Sequence, residues 1–406
     1  MKITDVRTVL LTGPSTGDRS VSAFRSVRSA AFVEVLTDTE VVGIGETYLG
    51  YFMPELVPAL VDFFKPILVG ADPSDVHVLR RRMVDCCAYW GRVGIGPAVI
   101  SGIEAALWDL KGKAHGLPVF ELLGGSHHDS LLAYATGGPS NWPEDRLLAK
   151  VDAYLGLGFT AFKIGTGYFD ETTGQAVAPA TPTAAAELEA AKIELLRGHV
   201  GREVRILLDG HMGFTAGPER WELPTATAVL KHLEPYDVFL FEEPLAYTDP
   251  VGYAELRRST AIPVAGGESL TTLEEFRRFA DLDAFGVAQP DAAWVGGLSE
   301  FVAVGRLFAA RNRWVASHAW GAGGAVMQNL HAAFATPNTL IVEIPPAAGP
   351  LHHEIWGESF QMRDGRVLLP ATPGLGVGLS ETVKERFPFV PRTGEFVSVP
   401  GKVLGV

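Results

Sequence analysis

The stretches Val204-Arg205-Ile206-Leu207-Leu208-Asp209 and Val238-Phe239-Leu240-Phe241-Glu242 share one design, a short apolar run closed by a carboxylate. Runs this short, rich in branched and aromatic side chains, read as strands buried on both faces. Helical stretches separate these two from each other and from similar runs on either side, which is the pattern of parallel strands joined by crossover helices.

Working outward, eight such strands fall near Leu131-Ala135, Ala161-Ile164, Val204-Leu208, Val238-Phe241, Val264-Gly266, Phe285-Gln289, Trp314-Ser317 and Leu340-Val342. Eight strand–helix units close a TIM-type (β/α) barrel. The competing architecture, an open doubly wound sheet, lacks its usual mark, because no GxGxxG turn follows an early strand. Gly321 to Gly324 reads as a turn. Ahead of the barrel, Ala30 to Leu36 and Val41 to Glu46 read as strands of a small antiparallel sheet. From Glu55 to about Gly116 the spacing turns helical, ending in Gly102 to Lys113 with one apolar face. After Pro345 the chain is rich in Gly and Pro without helical periodicity, so it is expected to return to the first domain. The expected division is 1–125 for the cap, 126–345 for the barrel and 346–406 for the returning segment.

Composition narrows the function. The chain of 406 residues carries a formal net charge of -13, which opposes binding to nucleic acid. No apolar run approaches the roughly 18 residues of a membrane span, and Met1 to Leu11 lacks the form of a signal peptide. Cys86 and Cys87 are neighbours, an arrangement that rarely meets disulfide geometry. A cytoplasmic protein is expected, with no membrane and no nucleic-acid partner.

The polar residues at the strand ends carry the chemistry. Lys163, Asp209, His211, Glu242, Glu268, Asp291, His318 and Glu343 all lie at or just after the carboxyl end of a proposed strand, the rim where barrels build active sites. Asp209, Glu242 and Glu268 close the third, fourth and fifth strands. Three carboxylates aimed at one point repel, and Mg²⁺, which prefers oxygen ligands, relieves that repulsion. Glu243, beside Glu242, points elsewhere on an alternating strand. His318 and Asp291 end neighbouring strands, and an Asp bonded to one imidazole nitrogen makes the other a general base. Lys163 is placed to stabilise negative charge on a substrate carboxylate as its α-proton leaves, and Glu343 to share a proton with the second carboxylate oxygen. A nucleophile elbow for a hydrolytic triad is missing. The plain alternatives are solvated acids, a structural histidine and a buried lysine ion pair.

At these residues the sequence resembles the enolase superfamily, specifically its mandelate racemase subgroup. The resemblance rests on Ala105-Ala106-Leu107-Trp108-Asp109 with Leu122-Leu123-Gly124-Gly125, Gly158 to Lys163, Leu208-Asp209-Gly210-His211, Phe241-Glu242-Glu243-Pro244, Gly266-Gly267-Glu268-Ser269, and the Asp291 and His318 pair. It implies an α/β fold, a modified TIM (β/α) barrel with an α+β capping domain formed by the N-terminal segment and the C-terminal tail. It also implies Mg²⁺ on Asp209, Glu242 and Glu268, an enediolate intermediate, a small-molecule carboxylate substrate and a homo-oligomer.

One departure bears on the reaction. Racemases of the subgroup look like Lys-x-Lys on the second strand, whereas here Lys163-Ile164-Gly165 puts glycine in the second place. His211 points the other way, since in the family's acid-sugar dehydratases a histidine there protonates the departing 3-hydroxyl. Dehydration of a sugar acid to a 2-keto-3-deoxy acid is therefore the expected reaction. A racemase or epimerase of a 2-hydroxy acid and a non-catalytic metal-binding barrel are the alternatives, and His211 could instead only hydrogen-bond a metal ligand. Specificity is expected from Thr12 to Arg25 and from Tyr48 to Phe52 with Tyr48 as a substrate contact; Trp90 and Arg92 either face the site or pack on the surface, and the insertion Gly165 to Thr183 with Tyr168 and Asp170 either touches the substrate or is a surface excursion.

Overall fold

The computed structural model describes residues 1–14, 27–137, 144–170, 175–213, 220–346 and 349–393. Three antiparallel strands, β1 (Ile3–Pro14), β2 (Val27–Thr37) and β3 (Val42–Thr47), form the cap sheet in the order β1-β2-β3. In β3, alternate glycines allow close packing: a Cβ on Gly43 would lie 2.1 Å from the Ala106 carbonyl oxygen, and one on Gly45 2.2 Å from that of Gly102. The sheet thus presses directly on the buried helix Ile95–His115. Buried Asp109 on that helix accepts the N–H of Ile44 (2.8 Å) and of Leu375 (2.8 Å), tying cap sheet, helix and tail together. Buried Glu104 accepts from Leu298 N–H at 2.7 Å and so fastens the same helix to the barrel.

The barrel consists of β4 (Ser130–Ala135), β5 (Ala161–Gly165), then a side hairpin β6 (Tyr168–Asp170) and β7 (Gln175–Val177), followed by β8 (Arg205–Asp209), β9 (Val238–Glu242), β10 (Val264–Gly266), β11 (Val287–Ala288), β12 (Trp314–Ser317) and β13 (Thr339–Ile344). Parallel pairing runs β4-β5-β8-β9-β10-β11-β12-β13, and β13 closes on β4 with Val342 opposite Ala133. All eight expected strands are present. Their interior is filled by Tyr134, Ala161, Leu207, Leu240, Ala265, Val287, Ala316 and Ile341, one side chain from each strand.

One expectation is corrected. The tail after Pro345 is not free of helix: it holds Pro350–Trp356 and Glu381–Arg386. It does return to the cap, where Thr12 N–H reaches the Phe387 carbonyl (3.2 Å) and Lys384 pairs with Glu34 (2.8 Å). It also serves the barrel, because β15 (Arg366–Leu368) pairs antiparallel with β4 and β14 (Met362–Arg363) antiparallel with β15. Trp90 is half-exposed and stands edge-on to Phe63 with ring centroids 5.3 Å apart, which is the surface-packing alternative, and Arg92 is exposed. Cys86 and Cys87 are free. Among the described residues no helix is long and apolar enough to cross a membrane.

Candidate active site

Side chains two positions apart on a strand share a face, so the layer above the apolar plug follows from the plug itself. Two residues beyond Ala161, Leu207, Leu240, Ala316 and Ile341 come Lys163, Asp209, Glu242, His318 and Glu343. Asp209 and Glu242 are direct partners across β8 and β9. Glu268 lies three residues beyond Ala265, out of phase. Gly267 supplies the extra step with φ +117°, a left-handed conformation only glycine takes readily, and there a Cβ would lie 2.4 Å from Phe276.

Asp209, Glu242 and Glu268 each offer an oxygen within 4.8 Å of the others'. Glu242 Oε1 is buried with no hydrogen-bond partner among the described residues. An oxygen-only donor set with an orphaned carboxylate oxygen fits a hard divalent cation. Burial, then Asp209, pushes the Glu242 carboxyl up, and burial, then Glu243, pushes Glu268 well up. Burial also opposes ionisation of Asp209, but the nearby His211 and Lys163 outweigh it and hold that carboxyl low.

Lys163 is buried with its ammonium 2.7 Å from Glu242 Oε2, 3.0 Å from Asp209 Oδ2 and 3.3 Å from Glu343 Oε1. Burial disfavours its charge, yet Asp209, Glu242 and Glu343 raise its pKa well above the ordinary lysine value. Glu343 also accepts from Ala319 N–H at 2.7 Å. Gly165, the position level with Asp209, brings no side chain, and its carbonyl accepts from Lys192 at 3.1 Å.

Across from Lys163 stands the expected dyad. His318 Nδ1 is 2.7 Å from Asp291 Oδ2, and its Nε2 is 3.8 Å from Glu268 Oε2. Burial lowers the imidazole pKa, but Glu268 and Glu343, then Asp291, more than reverse this and raise it to about 10. Tyr48 covers the ring at a centroid distance of 5.3 Å, within an aromatic wall that includes Tyr51, Phe52 and Trp294.

His211 is half-exposed at the mouth, with Nε2 3.2 Å from Asp209 Oδ2 and its N–H donating to Asp209 Oδ1 at 3.0 Å. His211 (φ +49°) and Glu243 (φ +45°) both hold left-handed backbone, and Met212 N–H joins them by donating to the Glu243 carbonyl at 3.0 Å. Such conformations cost free energy and concentrate at functional sites. Glu243 is buried and turned toward Gly213 and Tyr247, away from the three acids.

Residues 146–383 match the description "Enolase C-terminal domain-like", and residues 9–124 match the "Mandelate racemase / muconate lactonizing enzyme, N-terminal domain". The chain belongs to the mandelate racemase subgroup of the enolase superfamily. It is 28% identical over 394 residues to an arabinonate dehydratase of Saccharolobus solfataricus, covering 95% of this chain and 99% of the relative. It is 30% identical over 361 residues to a D-galactonate dehydratase of Xanthomonas campestris pv. campestris, covering 87% and 90%. Among solved structures, the L-talarate dehydratase of Polaromonas sp. JS666 complexed with Mg and L-glucarate superposes with a TM-score of 0.79 at 29% identity, covering 96% of this chain and 98% of that one. This member of the superfamily is therefore an enzyme, and its acidic cluster suits the divalent metal.

Of the segments expected to set specificity, residues 15–26 lie outside those described. The insertion forms the β6–β7 hairpin, with residues 171–174 and the side chain of Asp170 outside the described set. Tyr168 is half-exposed. Reading the sequence missed Asn329, whose amide donates to Asp291 at 2.8 Å from the helix Gly324–Phe334, and Glu46, which accepts from Ala325 N–H of that helix at 2.8 Å from the cap. Only chain closure brings these residues near Asp291.

Proposed function

We propose that this superfamily member dehydrates a sugar acid, with Asp209, Glu242 and Glu268 holding Mg²⁺. The observation that carries the reading is the opposed pair, His318 backed by Asp291 at 2.7 Å on one side and Lys163 among the carboxylates on the other. Mg²⁺ bound there supplies positive charge that stabilises a substrate carboxylate as it gains electron density.

With a cation on Glu268 offsetting the charge that raises the imidazole, neutral His318 Nε2 would take the proton from C2, while the Asp291 carboxylate steadies the imidazolium that forms. Lys163 and Glu343 face the substrate carboxylate, the ammonium countering its growing charge and the acid sharing a proton with the second oxygen. The electron pair freed at C2 then expels the 3-hydroxyl, which leaves as water on accepting a proton from His211 at the mouth. The enol so formed tautomerises to a 2-keto-3-deoxy acid. Tyr48, lying over His318, closes the substrate space from the cap side and contacts the substrate. The dehydratases among the relatives support elimination over racemisation. So does Gly165, which brings no side chain, while Lys163 is held as an ammonium among three carboxylates.

Incubation with Mg²⁺ and a panel of mono- and diacid sugars, assayed for 2-keto acids, tests this. The expected result is keto-acid formation from at least one of them. Exchange of the C2 proton for deuterium without any keto product would instead assign a racemase or epimerase. The cap and barrel act as the units 1–125 and 126–345, and the described residues of the segment 346–406 brace both.

A further inference from the structure

Asp291 has two oxygens and three donors. Oδ2 faces His318 Nδ1 at 2.7 Å, while Oδ1 accepts from Ala293 N–H (2.7 Å) and from Asn329 Nδ2 (2.8 Å). Asn329 is fully buried on the helix Gly324–Phe334. Its Oδ1 accepts from Ala292 N–H at 2.8 Å, and its Nδ2 donates also to the Ala325 carbonyl at 3.0 Å. Because a peptide N–H can only donate, the amide oxygen must face Ala292 and the NH₂ must face Asp291. One side chain therefore grips both the dyad carboxylate and the loop that carries it. The helix is itself fixed to the cap. Glu46 of β3 accepts from Ala322 N–H (2.7 Å) and Ala325 N–H (2.8 Å), and Gln328, the neighbour of Asn329, accepts from Glu46 N–H at 2.7 Å and donates to its carbonyl at 3.1 Å.

We propose that Asn329 is a positioning residue for the base, holding Asp291 and through it the His318 ring in the orientation that aims Nε2 at the substrate. This rests on the reading of His318 as the base. With the amide gone, Oδ1 keeps a single donor, and the carboxylate is free to turn about its last torsion. The ring then loses a fixed partner.

Two substitutions test it. Asn329→Leu removes both polar atoms while keeping the branched shape and the number of side-chain heavy atoms. Asn329→Asp keeps the acceptor for Ala292 but sets a carboxylate against Asp291, a repulsion relieved when one proton is shared between them. The ionisable groups facing this cluster are Asp291, His318 and Glu46, with Glu268 and Glu343 beside the imidazole. The first readout needs no substrate: in protein labelled with ¹⁵N-histidine, the His318 Nδ1–H resonance, assigned by its loss in His318→Asn, should shift or broaden in Asn329→Leu. The second uses a sugar acid whose C2 proton the wild type exchanges. There kcat for exchange should fall roughly 10- to 100-fold, the scale on which an outer partner of an active-site imidazole acts, with KM and Mg²⁺ affinity changed by less than about twofold. Asn329→Asp should exchange more slowly than wild type, most so at high pH where both carboxylates are ionised. If Asn329→Leu does not fold, the near-isosteric Asp variant decides by both readouts. An unmoved His318 resonance with unchanged exchange in a folded variant overturns the proposal. A wild type that exchanges no sugar acid counts against the dehydratase reading alone, and the resonance still decides the role of Asn329.

Discussion

Glu46 offers a sharp test of how the cap is seated on the barrel. Its carboxyl is fully buried between β3 and the helix Gly324–Phe334, and its pKa is raised from 4.5 to about 7. Burial dominates that rise, the N–H groups of Ala325 and Ala322 oppose it, and the charge of Asp291 adds to it. A carboxyl whose folded-state pKa lies above its unfolded value contributes stability that is fully present below pH 4.5 and is lost as pH rises to about 7. The difference of 7 − 4.5 = 2.5 units, at 1.36 kcal/mol each, corresponds to about 3 kcal/mol. Glu46→Gln removes the titration. It also replaces one acceptor oxygen by a donor facing a donor, a constant penalty of about 1–3 kcal/mol. Urea unfolding of both proteins across pH 4.5 to 7.5 separates the two effects. The stability advantage of wild type over the variant should shrink by about 3 kcal/mol as pH rises through that window, then level off. A difference that stays constant across the window would refute the assignment of a buried, largely protonated Glu46.

Three further outcomes follow from the site itself. His318→Asn should abolish C2-proton exchange, a loss of about 10²- to 10⁴-fold for a general base, while calorimetry gives an unchanged Mg²⁺ affinity. His211→Asn should stop water loss yet permit deuterium entry at C2, followed by NMR; retained dehydration would remove His211 from the acid role. Wild-type enzyme should release no C2 epimer of any sugar acid it processes, because Gly165 supplies no base on the second face; chromatographic detection of the epimer would contradict this.

The barrel was legible in the sequence because its strands are short apolar runs separated by helical stretches, as a closed parallel sheet demands, and most carry a polar residue at or just after the carboxyl end. The same alternation that fills the interior with Leu207 and Leu240 puts Asp209 and Glu242 one layer above them. Glu268 could be read as a rim acid, whereas the extra step at Gly267 that turns it inward depends on packing against Phe276. The helices Pro350–Trp356 and Glu381–Arg386 escaped notice because each is shorter than the window over which a helical period can be recognised. Asn329 and Glu46 were illegible for a different reason. They sit far from Asp291 along the chain, and nothing local distinguishes a buried amide that holds a catalytic carboxylate from one on a solvated face.

The acids of β8, β9 and the turn after β10 can be tested directly by a crystal structure of the protein grown with Mn²⁺ in place of Mg²⁺. Anomalous density should mark one ion bound by Asp209, Glu242 and Glu268 at about 2.0–2.2 Å, the range for small hard cations on oxygen, and should vanish in Glu268→Gln. An ion bound elsewhere, or a site unchanged by that substitution, would contradict the account.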